Sequence, residues 1–131
     1  MRISPLEADI QKSIIQAFAL VHRIQLIPID AGAAGMRSGA SKPSAHTNIP
    51  RGFPDLLGII PGSGRTLLIE VKRPGARPRA NQLAFLDWAV GLNAIAFWAD
   101  SVDSALEQFN QAMREQHDPS NTHRHCNICK C

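Results

Sequence analysis

Two apolar, β-prone runs, Leu56–Ile60 and Thr66–Val71, lie on either side of Pro61-Gly-Ser-Gly-Arg65. Runs of this length joined by so short and turn-rich a segment read as a β-hairpin at the centre of the chain. Charge gathers at the hairpin's open end: Asp55 precedes the first run, while Glu70 and Lys72 close the second. Strand alternation puts residues 70 and 72 on one face. A two-residue turn at Gly62-Ser63 pairs Asp55 with Glu70, and one at Ser63-Gly64 pairs it with Lys72. Either register leaves all three side chains on the same face.

The flanking sequence supplies the rest of a fold. Ser4-Pro5-Leu6-Glu7 reads as a helix start, with Ser4 as cap, Pro5 at the first position and Glu7 completing a capping box. Ile10, Ile14, Ala17, Phe18 and Val21 recur at helical spacing through about His22. Ile24–Ile29 reads as a short strand that Pro28 confines to an edge. After the hairpin, Arg73–Ala80 is a loop. Asn81 is expected to cap a helix from Gln82 to about Val90, with Leu83, Leu86 and Val90 inward and Gly91 ending it. Asn93–Ala99 is an apolar strand. Ser101 caps a last helix from Val102 to about Gln116, whose stripe is Ala105, Leu106, Phe109 and Met113. The order α-β-β-β-α-β-α predicts an α/β fold, a mixed central sheet flanked by helices. At 131 residues one domain is expected, over 1–116, followed by a flexible tail over 117–131.

The net charge of +3 is unevenly placed. From Arg37 to Arg79 there are eight basic residues and two acids, and those acids are Asp55 and Glu70; the remainder has six basic and nine acidic residues. A basic centre suits a polyanion, because each neutralised phosphate releases counterions. Residues 31–52, rich in Gly, Ala, Ser and Pro, form a long basic loop of the kind usually kept for function. No run is long enough to cross a bilayer, and Met1-Arg-Ile-Ser-Pro lacks the apolar stretch of a secretion signal. A cytoplasmic protein with no membrane partner is expected.

Two acids and a lysine at adjacent strand ends suit metal-dependent phosphodiester chemistry. That reaction needs a nucleophile, neutralised charge on phosphorus and a stabilised leaving oxygen. Mg²⁺ or Mn²⁺ held by carboxylates serves the last two needs and lowers the pKa of water. Asp55, Glu70 and the backbone carbonyl of Val71 make an oxygen-rich half-shell, and Lys72 can orient water or stabilise developing charge. The plainer reading of Glu70 and Lys72 is a strand ion pair of little worth, against which stand the strongly apolar runs around them. Glu7 is accounted for by its cap, Gln82 by solvent, His22 by a helix end, and His46 by its loop.

Gly-Phe-Pro-Asp55, Ile-Glu-Val-Lys72-Arg-Pro-Gly and Gln82, preceded by a helix bearing Glu7, together resemble the VRR-NUC branch of the PD-(D/E)xK nuclease superfamily over roughly residues 4 to 116. The resemblance implies a restriction-endonuclease-like core and cleavage of DNA that depends on Mg²⁺ or Mn²⁺. It makes Asp55, Glu70 and Glu7 metal ligands, Lys72 the catalytic lysine and Gln82 the site glutamine. Small stand-alone chains of this kind resemble phage-type nucleases that act as homodimers on branched DNA such as four-way (Holliday) junctions. Phosphate contacts are then expected from Arg37, Lys42, Arg51, Arg73, Arg77 and Arg79, which position DNA without reading its sequence.

The tail departs from the family pattern. His123-Arg-His125-Cys126-Asn-Ile-Cys129-Lys-Cys131 holds all three cysteines and has ligand types suited to zinc. It is too short to support a metal with further contacts, so a bare tail of reduced thiols is the preferred reading over a zinc site. Two other functions fit the chain: a non-catalytic DNA-binding module that keeps the nuclease fold, and an interaction protein assembled through its tail.

Overall fold

The computed structural model describes residues 6–29 and 49–116. Its elements are α1 (Glu7–Val21), β1 (Ile27–Pro28), β2 (Leu56–Ile59), β3 (Thr66–Val71), α2 (Ala80–Gly91), β4 (Ile95–Ala99) and α3 (Val102–Glu115). The sheet runs β1-β2-β3-β4. The first two pairings are antiparallel, and β3 pairs parallel with β4 after the crossover through α2. This is the mixed sheet and the α-β-β-β-α-β-α order expected from the sequence.

Alternation along β3 explains the layers. Leu67, Ile69 and Val71 join one core with Ile10, Ile14 and Phe18 of α1 and Ala105 and Phe109 of α3. The intervening Leu68 and Glu70 are buried on the opposite face, where Gln82 of α2 reaches Glu70. Two helices therefore cover one face and α2 the other. β3, covered on both sides, is apolar almost throughout, as a central strand must be.

The hairpin register is the one that a turn centred on Gly62-Ser63 produces: Leu56 faces Ile69, and Gly58 faces Leu67. The ladder closes where Ile60 N–H donates to the Arg65 carbonyl at 2.8 Å. One step beyond the paired residues, Asp55 falls opposite Glu70.

Several local expectations are corrected. The described helix α1 opens at Glu7 after an extended Leu6 whose side chain makes no cap bond, so Glu7 holds the first helical position and not the third of a capping box. Ser4 and Pro5 lie outside the described residues. The α1 stripe ends at Phe18, with Val21 exposed. The strand expected over Ile24–Ile29 pairs only at Ile27–Pro28, an edge as expected, while Ile24 and Leu26 dive into the core. α2 starts at Ala80 with Arg79 as its N-cap residue. Its Leu86 is buried as expected, but Ala89 takes the place assigned to Val90, and Leu83 is also exposed. β4 begins at Ile95 because Asn93 adopts a left-handed φ of 74°. The Ser101 cap forms as expected, accepting the Ser104 N–H at 3.1 Å. His22 at the helix end is partly buried: its Nε2 makes no hydrogen bond among the described residues, and its ring lies 4.5 Å from that of Phe109 and 5.6 Å from that of Phe18.

Candidate active site at the open end of the hairpin

Asp55 sits in the turn leading into β2, Glu70 and Val71 end β3, Lys72 follows, and Gln82 lies in the first turn of α2. The sheet and helix thus converge four of the side chains singled out by sequence. Glu70 is the deepest of them, only 2% exposed. Its Oε1 accepts a hydrogen bond from Gln82 Nε2 at 2.8 Å and an ion pair from Lys72 Nζ at 3.2 Å. Its Oε2 is buried without a hydrogen-bond partner among the described residues.

Asp55 is anchored differently. Its Oδ2 accepts the Val71 N–H at 2.8 Å, and its own carbonyl accepts the Ile29 N–H at 2.7 Å. Val71 was expected to contribute a carbonyl; its amide also proves to be a structural partner. Within a strand the N–H and C=O of one residue point to the same edge, so the Val71 carbonyl is aimed toward the Asp55 side. Lys72 is fixed through its backbone, whose N–H donates to the Ala99 carbonyl at 3.0 Å.

The electrostatics are unfavourable for two bare carboxylates. Burial pushes the Glu70 carboxyl up to about 7, and the neighbouring Asp55 charge adds to the rise against the opposing pull of Lys72. Burial also raises Asp55, offset in part by the Val71 amide and Lys72. The two carboxylates stand within hydrogen-bonding reach. Two ionised acceptors repel at that separation; a shared proton or a bound cation turns the contact favourable. The orphaned Glu70 Oε2, together with hard oxygen donors on both acids, fits a divalent cation of the Mg²⁺ or Mn²⁺ class.

The rim is basic. Arg51, Arg73, Arg77 and Arg79 are all exposed on the segments that flank Asp55 and Lys72. Arg37, Lys42, His46 and the tail residues His123, His125, Cys126, Cys129 and Cys131 lie outside the described residues. Glu7 is exposed at the start of α1, near enough for its charge to raise Asp55. It does not join the carboxylate pair: among the described residues no group of three or more His, Cys, Asp or Glu side chains is placed to hold a metal ion.

Gly52 was not singled out by the sequence, yet it helps set the site. Its φ is +85°, and a Cβ there would stand 2.7 Å from the Asn81 carbonyl oxygen. The chain before Asp55 therefore lies directly on the start of α2, where Phe53 also meets Phe85 with ring centroids 5.1 Å apart. Pro54 is fully buried beside them. The only hint in the sequence was a glycine at the head of the Gly-Phe-Pro-Asp motif.

A mixed four-stranded sheet between helices, with acidic and basic groups at the exit of its central hairpin, defines a restriction-endonuclease-like fold. The VRR-NUC domain family model matches residues 37–103, just over half the chain. The chain belongs to that family, which is nuclease-like, and is a nuclease-type domain acting on DNA. A solved structure described as a VRR_NUC domain protein superposes with a TM-score of 0.57, over 86% of this chain and 92% of that one, at 16% identity. No curated protein sequence matches the chain. The span matched by the family model contains Asp55, Glu70, Val71, Lys72 and Gln82, and leaves Glu7 and α1 outside it.

Proposed function

We propose that the chain is a Mg²⁺- or Mn²⁺-dependent endonuclease that hydrolyses phosphodiester bonds of DNA at the Asp55–Glu70–Lys72 cluster. The observation that carries this reading is Glu70: a carboxylate 2% exposed, with one oxygen unpartnered, beside a second carboxylate and a lysine. An ion pair between Glu70 and Lys72 alone accounts neither for that oxygen nor for the second carboxylate beside it. When bound, the cation neutralises charge at the scissile phosphate and acidifies a water.

Asp55, Glu70 and the Val71 carbonyl are the groups assigned to hold that cation, and Glu7 is assigned to complete the set once substrate is present. Lys72 Nζ, held 3.2 Å from Glu70, orients the attacking water or stabilises the negative charge that builds on the phosphate. Gln82 positions Glu70. Attack by water forms one P–O bond and breaks the bond to the leaving sugar oxygen; the water gives up a proton to solvent and the sugar oxygen takes one up. Arg51, Arg73, Arg77 and Arg79, with Arg37 and Lys42, grip phosphates and do not read bases. Selectivity then follows DNA structure, with branched DNA such as a four-way junction held by a homodimer.

The test is cleavage of a labelled four-way junction and a matched linear duplex with Mg²⁺, Mn²⁺ or EDTA, using the natural chain and Lys72→Ala. Cutting that requires the cation and is lost in the variant supports the reading. DNA that is bound but never cut under any metal condition would replace it with a non-catalytic DNA-binding module.

A further inference from the structure

A second feature lies on the α2 face, at the opposite end of β3 from the acids. A cleft of about 440 Å³ is lined by Arg65, Thr66, Leu68, Trp88, Leu92 and Asn93, among others, none of its lining residues being acidic. Its volume is that of a small-molecule site. Among the described residues the Arg65 guanidinium is tied at one point: Nε donates to the Asn93 carbonyl at 2.8 Å, while the buried Nη1 makes no hydrogen bond. The nearby end of α2 offers few competing acceptors, since Leu92 and Ala94 N–H groups take the Ala89 carbonyl and Asn93 N–H takes that of Val90. Among the described residues no carboxylate pairs with this guanidinium, which leaves its charge to meet an anion in the cleft.

Trp88 supplies the other half. The residue is 60% exposed, more than Leu83 and Val90, the other large apolar residues that α2 leaves outside. It is also the end of a file of aromatic rings. Phe53, two residues before Asp55, meets Phe85 at 5.1 Å, and Phe85 meets Trp88 at 5.3 Å. The file leads from the acidic cluster to the cleft.

We infer that the cleft binds a nucleotide of a single-stranded arm of the DNA substrate, its base stacked on Trp88 and its phosphate held by Arg65. This rests on the nuclease reading and adds a substrate class to it: duplex carrying an unpaired arm. Exposed aromatic platforms beside a cation are how proteins hold single strands without regard to sequence. Five residues of strand separate Arg65 from Glu70, about 17 Å, the length of about five stacked nucleotides. An arm of only one or two nucleotides does not span that distance even when fully extended.

The experiment measures binding in EDTA, by fluorescence anisotropy, for blunt duplex and for duplexes with a short arm of about two nucleotides or a long arm of about ten. The natural chain, Trp88→Ala and Arg65→Gln are compared after melting curves confirm that each is folded. The long arm is expected to bind at least fivefold tighter than the short one, with that preference lost in Trp88→Ala and reduced in Arg65→Gln. A preference untouched by Trp88→Ala overturns the proposal. So does a free mononucleotide that binds while arm length has no effect, or a Trp88→Ala variant that changes only the oligomeric state, which would assign the face to a second copy. Metal-dependent cleavage lost in Lys72→Ala is read in parallel. If it persists in the natural chain while arm preference is absent, this inference fails and the nuclease reading stands; if arm preference is present without cleavage, the nuclease reading fails alone.

Discussion

Gln82 holds Glu70 with one end of its amide and the start of α2 with the other. Its Nε2 donates to Glu70 Oε1 at 2.8 Å, and its Oε1 accepts the Arg79 N–H at 2.8 Å. The second bond fixes which way the amide points, so the donor is always the group presented to the carboxylate. A residue that would be an ordinary solvated side chain in a first helical turn thereby sets the position of a buried acid.

Gln82→Ala is expected to lower cation affinity and cleavage by about 10- to 100-fold, the usual effect of removing a partner that orients a ligand. Binding of DNA in EDTA should change far less. Titration of Mg²⁺ or Mn²⁺ by calorimetry, alongside single-turnover cleavage, checks both. Unaltered cation affinity would leave Gln82 a helix-capping residue only.

The buried acid pair gives stability an uncommon pH dependence. In the unfolded chain Glu70 ionises near 4.5, and in the fold it is pushed up to about 7. Between those values the folded state carries a proton that the unfolded state lacks, so its stabilisation is present at low pH and is lost as pH rises through about 7. Asp55, also raised, acts with the same sign. His22, lowered by burial, acts oppositely and loses stability as pH falls, so the readout must isolate Glu70. Glu70→Gln should melt above the natural chain at pH 8 without divalent cation, on the order of 5 °C, and the gap should close toward pH 4. Saturating Mg²⁺ should raise the melting temperature of the natural chain at pH 8 and leave the variant nearly unmoved. A gap that does not vary with pH would mean that Glu70 is not held as a strained acid.

Two glycines separate conformation from contact. Gly52 and Gly62 both have positive φ, +85° and +89°, but an added Cβ meets the Asn81 backbone at the first and nothing within 4 Å at the second. Gly62→Ala should therefore cost about 1 kcal/mol, the strain of a left-handed residue. Gly52→Ala adds a clash against backbone that cannot swing aside, raising the cost to about 3 kcal/mol, and should shift Asp55 and impair cleavage. Equal denaturant midpoints for the two variants would contradict the close approach of this segment to α2.

How much of this was legible in the sequence depends on distance along the chain. The hairpin, its face and two possible registers followed from alternation and a short turn, and the register observed is one of those two. Leu86 and the Ser101 cap were legible because both are local. The start of α2 is not legible because Asn81 has the chemistry of a cap, whereas it is the Gln82 side chain that reaches back to accept the Arg79 N–H. The constraint on Gly52 is not legible because it comes from Asn81, far along the chain and adjacent only in the fold. Glu7 could be assigned to a helix start but not to a distance from Asp55, which is set by how α1 packs across the sheet.

The exposed arginines lend themselves to a charge count. Arg73, Arg77 and Arg79 follow Lys72 on one loop, and all three are exposed. If each neutralises one phosphate, replacing all three by glutamine removes about three released counterions, and the slope of log K against log salt should become shallower by about 2.7 for duplex DNA. The loss of affinity should be similar for unrelated base sequences, since phosphate contacts carry no sequence information. The same variant should retain its fold, because none of the three side chains is buried. Binding isotherms at several salt concentrations, in EDTA so that no strand is cut, give the slope directly. A slope unchanged by the triple substitution would remove this loop from the DNA path and leave Arg51 with the basic stretch before it as the remaining grip.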